Sequence, residues 1–226
     1  AELVRQLNLL AESPGAGPMT AAAGESTRPD SGFDSEFDSR VPTPQLTGQE
    51  LDPDRAEMLN RLRRGLVDPG QAPLLAGYGR EAALRIDFAS GQVLIDELAD
   101  QRLRIARELP ALSRGPVPGG RAKVRDLDLV VWDIAHAAGG FRLLHAPVNW
   151  WRTPLVVLPQ VEVARYTAVP QHLRMARELE RGPVSPAELR RRCRVGLPDL
   201  RGFLQSSLFL GQVYWLPEGA TAGPQA

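Results

Sequence analysis

The chain has 226 residues, 43% of them hydrophobic, with 27 acidic and 27 basic side chains for a net charge of zero. That length allows one large domain or two small ones with a tail, and the charge balance weighs against a protein held to nucleic acid by phosphate neutralisation over its whole surface. The single cysteine, Cys193, excludes an internal disulfide framework and a thiolate zinc site, and no stretch nears the roughly 20 apolar residues that span a bilayer.

The zero conceals a gradient: residues 30–57 are acidic and residues 174–201 are basic. Lys123 is the single lysine, so any lysine-based mechanism has one candidate, and no Ser or Thr follows it as a phosphate-binding loop requires. The preference for arginine, alanine and proline matches the codon bias of a GC-rich bacterial genome. The first twelve residues lack the basic start and long apolar run of a signal peptide, and the lone cysteine fits a reducing cytoplasm. The chain opens without Met, as a fragment would.

Residues 1–50 read as a disordered acidic linker with a short amphipathic helix at 1–12, because Pro, Gly, Ser, Thr and Asp replace any apolar repeat. A small repeat, Phe33-Asp34-Ser35 and Phe37-Asp38-Ser39, lies within it. It is either a pair of incidental aromatics or the anchor of a segment that folds on a protein partner. Residues 52–65 then predict a helix, capped by Asp52, opened by Pro53 and stopped by Gly65. Gly77-Tyr78-Gly79-Arg80-Glu81-Ala82 matches a relaxed dinucleotide fingerprint, but the strand pattern that follows denies it the βαβ context, and it reads as a loop.

Leu84, Ile86 and Phe88 alternate with Arg85 and Asp87, so 81–88 and 92–98 predict a hairpin turning at Ala89-Ser90-Gly91. Residues 101–109 alternate as well and are read as a third strand. Residues 113–120 form a Pro/Gly loop. Val124, Leu127, Val131, Ile134 and Ala138 share one helical face, predicting a helix over 123–138 that ends at Gly139-Gly140. Strands are expected at 141–145 and 153–158, with Trp150-Trp151 in the turn between them. Those two rings either fill the joint between domains or form a binding hot spot. His136, His145 and His172 are too dispersed for a local metal motif, and nothing asks for a cofactor. No catalytic constellation is found.

Ser185-Pro186-Ala187-Glu188 is a helix start with a cap, a first-position proline and a capping-box glutamate. It lies at the centre of three helices, 170–180, 186–194 and 198–210, followed by a strand at 212–216. Cys193, four residues after Leu189, reads as a small core residue. This order of helix, capped helix, Val195-Gly196 turn, helix and strand resembles the winged-helix superfamily over about the last fifty residues. The resemblance implies that the third helix enters the DNA major groove. Here that helix offers Asp199, Arg201, Gln205, Ser206 and Ser207, few groups for reading bases, with Phe209 adding apolar surface. Arg190, Arg191, Arg192 and Arg194 lie on the preceding helix, either as a solvated face favoured by the helix dipole or as phosphate contacts.

The expected fold class is α+β: a small α+β domain at 51–168, a winged-helix-like domain at 169–218 and a disordered tail at 219–226. The expected function is that of a non-enzymatic, cytoplasmic regulatory or assembly adaptor, with Phe33, Phe37, Trp150, Trp151 and Phe209 as candidate contacts for a protein partner. The alternative is a transcriptional regulator that binds nucleic acid through Arg190, Arg191, Arg192, Arg194, Arg201 and Gln205. No membrane association is expected.

Overall fold

A computed structural model of the chain describes residues 51–216, apart from residues 81, 114, 116, 117, 119, 120, 141–145 and 159–162. Phe33, Phe37, the helix expected at 1–12, the strand expected at 141–145 and the tail at 219–226 lie outside the described residues. The fold is α+β, with helices on one face of an antiparallel sheet and a second, mainly helical unit after it. No described helix is long and apolar enough to cross a membrane.

Helix α1, Pro53–Val67, begins as its sequence demands: the Asp52 carboxylate accepts the Arg55 amide at 3.0 Å. It runs two residues beyond the expected stop. Gly65 is not a terminator. The Phe88 ring occupies the place of its missing side chain, within 2.3 Å of where a Cβ would stand.

Five strands follow as one sheet: β1 Leu74–Tyr78, β2 Ala82–Asp87, β3 Gln92–Asp96, β4 Ala111–Leu112 and β5 Ala122–Asp126, in the order β4-β1-β2-β3-β5 and antiparallel throughout. The hairpin around Ala89-Ser90-Gly91 forms as its alternation predicts, and Gly91 supplies the positive φ of the turn. Strand β1 went unforeseen. Its short apolar run has no period of two to announce it, and Gly77-Tyr78 ends a strand where a loop was expected.

Two other expectations are corrected. Residues 101–109 are not a strand: helix α2, Glu97–Arg104, buries Ala99 and Leu103 four apart, and Ile105 stands 80% exposed. Residues 123–138 are not one helix. β5 ends at Asp126, and helix α3, Leu127–Ala137, starts there, followed by a short 3₁₀ turn at Ala138–Gly140. Val124 matched the helical spacing, yet it is 61% exposed on the sheet. β3 needs a neighbour for its backbone groups, and this segment provides it.

Helices α1, α2 and α3 cover one face of the sheet and enclose the first core, which includes Met58, Leu62, Leu84, Ile86, Ile95 and Ile134. The second unit comprises β6 Leu155–Val157, a 3₁₀ turn at Val163–Arg165, α4 Pro170–Glu180, α5 Pro186–Cys193, α6 Leu197–Phe209 and β7 Val213–Trp215. The three helices lie within a residue of their expected bounds. At α5 the capping box is complete: Ser185 Oγ accepts the Glu188 amide at 3.3 Å, and Glu188 accepts the Ser185 amide at 3.2 Å. β6 pairs with β7, and Leu155 also bridges Val184 between α4 and α5. The second core gathers Trp150, Trp151, Met175, Leu189, Cys193 and Phe203.

The two cores meet along α3 and α6. Val130, Val131 and Ile134 of α3 enter the first core, while Trp132 enters the second. Ser206 Oγ on α6 donates to the Trp132 carbonyl at 3.0 Å. The helices approach closely because glycines face each other at the contact: a Cβ on Gly139 would lie 2.5 Å from the Gly202 Cα.

Candidate functional site

The helix that the winged-helix resemblance would place in a DNA groove is the central strut of the molecule. One side of α6 places Leu200, Phe203 and Leu204 in the second core. The opposite side carries Gly202 and Ser206 against α3. Residues 202–207 are buried without interruption. Gln205, at 4% exposure, is therefore inside the fold and is corrected as a base contact of the alternative reading; Ser206 and Ser207 are buried beside it. Arg201 is partly buried, and Phe209 packs half-buried against the first core. Trp150 and Trp151, each 2% exposed, stand edge to face at 5.2 Å inside the second core, so neither offers a contact surface.

The arginines of α5 do face solvent. Arg190, Arg191, Arg192 and Arg194 are all exposed, and Arg192 spans Glu178 and Glu188. Arg194 adopts a left-handed conformation that closes the helix, its amide donating to the Arg190 carbonyl. Cys193 is buried, and that burial, with Glu178 nearby, raises its thiol above the usual range. It is a core residue.

Among the described residues, no helix covers the other face of the sheet. On that face the register lines up Leu75, Arg85, Leu94 and Val124 across four strands. Leu75 and Leu94 are half-buried, and Arg85 and Val124 are exposed. The adjoining row on the same face is Asp87, Gln92 and Asp126. The face thus carries an apolar row interrupted by the exposed Arg85 and edged by carboxylates.

At the sheet's opposite face, Asp100 of α2 is the hub of an ion network. Its carboxylate, 5% exposed, accepts Lys123 Nζ at 2.7 Å and Arg125 Nη1 at 2.8 Å. Arg125 continues to Asp133 on α3 at 2.8 Å. Burial pushes the Asp100 carboxyl up, but the bond from Lys123 and the neighbouring cations outweigh it and hold the carboxyl below its ordinary range. Asp133 goes the other way, because burial there outweighs the bond from Arg125. The lysine and arginine that sequence placed on a helix owe this meeting to the strand period, which turns positions 123 and 125 to one face.

Above this network, at the joint of the two units, lies a cleft of about 570 Å³. Its floor contains His136 and His172, whose ring centres are 5.1 Å apart. Sequence spacing gave no hint of this pair, since tertiary packing of α3 on α4 creates it. His172 is 2% exposed, and its Nδ1 lies 2.9 Å from the Thr167 hydroxyl. The Nε2 atoms of both rings are buried with no hydrogen-bond partner among the described residues. Burial is the main cause that pushes both imidazoles down to about 4, with the neighbouring His172 and Arg107 acting on His136 and Arg107 on His172; Asp199 opposes them weakly. Both rings are therefore neutral at pH 7. Trp132 stacks on Tyr166 at 5.6 Å beside them. His145 lies outside the described residues, and no group of three metal-ligating side chains forms among the described ones. Tyr166 also borders a second cleft of about 440 Å³, where Phe209 and Phe88 meet Arg63 and Asp128.

Compared with family models, curated proteins and solved structures, the chain matches none.

Proposed function

We propose that the chain is a non-enzymatic adaptor that docks a protein partner on the open face of its sheet. The observation that carries this reading is the burial of α6 from Gly202 to Ser207. A helix enclosed between two cores cannot enter a major groove without dismantling both. The three helices and the final strand paired with β6 support reading the second unit as winged-helix-like. In this role the unit braces the sheet domain instead of gripping DNA.

The partner's chemistry follows from the face it meets. Leu75, Leu94 and Val124 ask for apolar groups, Arg85 between them asks for an acidic one, and Asp87 and Asp126 ask for basic groups at the edge. Phe33 and Phe37 are the proposed second contact. The runner-up, transcriptional regulation, rests on the exposed Arg190, Arg191 and Arg194, which suit phosphate contact without base reading.

Two experiments separate the readings. A photo-crosslinking amino acid at position 124, used in the host cell, should yield one discrete protein adduct that Leu94→Glu abolishes; no adduct, or one indifferent to Leu94→Glu, rejects the docking face. Labelled mixed-sequence duplex DNA should bind weakly at both about 50 mM and about 200 mM salt. Tight binding that collapses between those two concentrations would favour the runner-up instead.

A further inference from the structure

We propose that the cleft at the joint of the two units binds a small aromatic anion, with its ring against the apolar wall and its charged group on Arg104 and Arg107. The inference goes beyond the docking face, which lies on the other side of the sheet.

Three independent features point to a ligand. The first is place and size. At about 570 Å³ the cleft falls within the roughly 300–1,000 Å³ of small-molecule sites, and such sites favour junctions between structural units. Leu103, Leu129, Val169 and Pro170 supply its apolar wall. The second is a buried polar atom. His172 lines the cleft, its ring is fixed by Thr167, and its Nε2 has no partner among the described residues. Native interiors leave few such atoms unsatisfied, and each one needs an explanation.

The third is the rim. Arg107 holds a left-handed backbone, φ 52°, which a side chain with a Cβ rarely adopts. That conformation, just after α2, sets Arg107 on the cleft's edge, where it reaches Asp199 of α6 at 3.3 Å. Arg104 is the spare cation of the Asp100 network. Its contact with Asp100 is long, 3.7 Å, because Lys123 and Arg125 already hold that carboxylate at 2.7 and 2.8 Å. The third arginine of the cleft, Arg125, is neutralised by Asp100 and Asp133. The cleft thus carries more positive than negative charge, and the two arginines with weak or exposed partners stand at its mouth. Planar guanidinium groups pair with a carboxylate or a phosphate in bidentate fashion, so the wall selects a ring and the rim selects an anion.

The test is isothermal titration calorimetry of the full chain with three probes: 1-naphthoate, 1-naphthyl phosphate and the neutral 1-naphthalenemethanol. The two anions should bind and the alcohol should bind at least about tenfold more weakly, the loss of one charge-assisted hydrogen bond. Whichever anion binds tighter identifies the charged group the site takes. Arg107→Gly keeps the left-handed backbone without strain and removes the guanidinium. It and Arg104→Gln should each weaken the anions about tenfold and leave the alcohol unchanged. Circular dichroism of both variants should match the parent, which separates loss of the site from loss of the fold. Failure of both anions to bind the parent, equal binding of the alcohol, or anion affinities indifferent to both substitutions would each overturn the proposal.

Discussion

Gly202→Ala tests the joint most directly. The added methyl group would lie 2.6, 2.7 and 2.9 Å from Nε2, Cε1 and Cδ2 of His136. Comfortable contact between carbon atoms begins near ~3.5 Å, so the ring must retreat by roughly 1 Å. Its retreat is blocked by the His172 ring, with centres 5.1 Å apart, and the helix that carries it is locked on α6 at Gly139. Overpacking of this kind costs about 2–3 kcal/mol. Alanine recovers up to about 1 kcal/mol of helix propensity over glycine. The net loss is then about 1–2 kcal/mol, or a fall in melting temperature of roughly 3–7 °C for a chain of this size. In a His136→Ala background the obstacle is gone and the sign reverses: Gly202→Ala should stabilise by up to about 1 kcal/mol. Urea unfolding followed by tryptophan fluorescence measures all four corners of the cycle. Equal destabilisation by Gly202→Ala in both backgrounds would refute the packing argument.

Asp100→Asn should cost about 2–3 kcal/mol in the same assay, less than the ~3–5 of a fully buried pair because Lys123 is half exposed and Arg125 keeps Asp133; a loss below ~0.5 kcal/mol would show that the network contributes nothing. The histidine pair sets a pH dependence: the folded rings stay neutral down to about 4 while unfolded histidine titrates near 6.5. The unfolded chain therefore binds more protons in that window, so stability falls as pH drops through 6.5 and levels off below about 4. His172→Gln should flatten this slope in pH-dependent denaturation, and an unchanged slope contradicts the assignment. Ser185→Ala removes the acceptor that closes the first turn of α5 and should cost about 1 kcal/mol in thermal unfolding, whereas Ser185→Asp should restore most of it.

The amino-acid sequence alone determined features whose causes lie within a few residues. Asp52 and Ser185 start helices because their side chains reach amides three positions on. The hairpin at Ala89-Ser90-Gly91 and the three helices of the second unit were legible for the same reason, since turn chemistry and apolar period act locally. Where one period admitted two readings, tertiary structure chose. β5 became a strand because β3 lacked a neighbour, and α2 became a helix because Ala99 and Leu103 had the first core to enter. The candidate site was decided at this level too. Gln205, Ser206 and Ser207 read as the outer side of a helix, yet all three are buried, and Ser206 meets the Trp132 carbonyl of α3, 74 residues earlier. The meeting of α3 and α4 likewise brought His136 beside His172. Sequence records a helix's faces only relative to its own axis, and which of them meets solvent is settled when a distant element, here α3, packs against it.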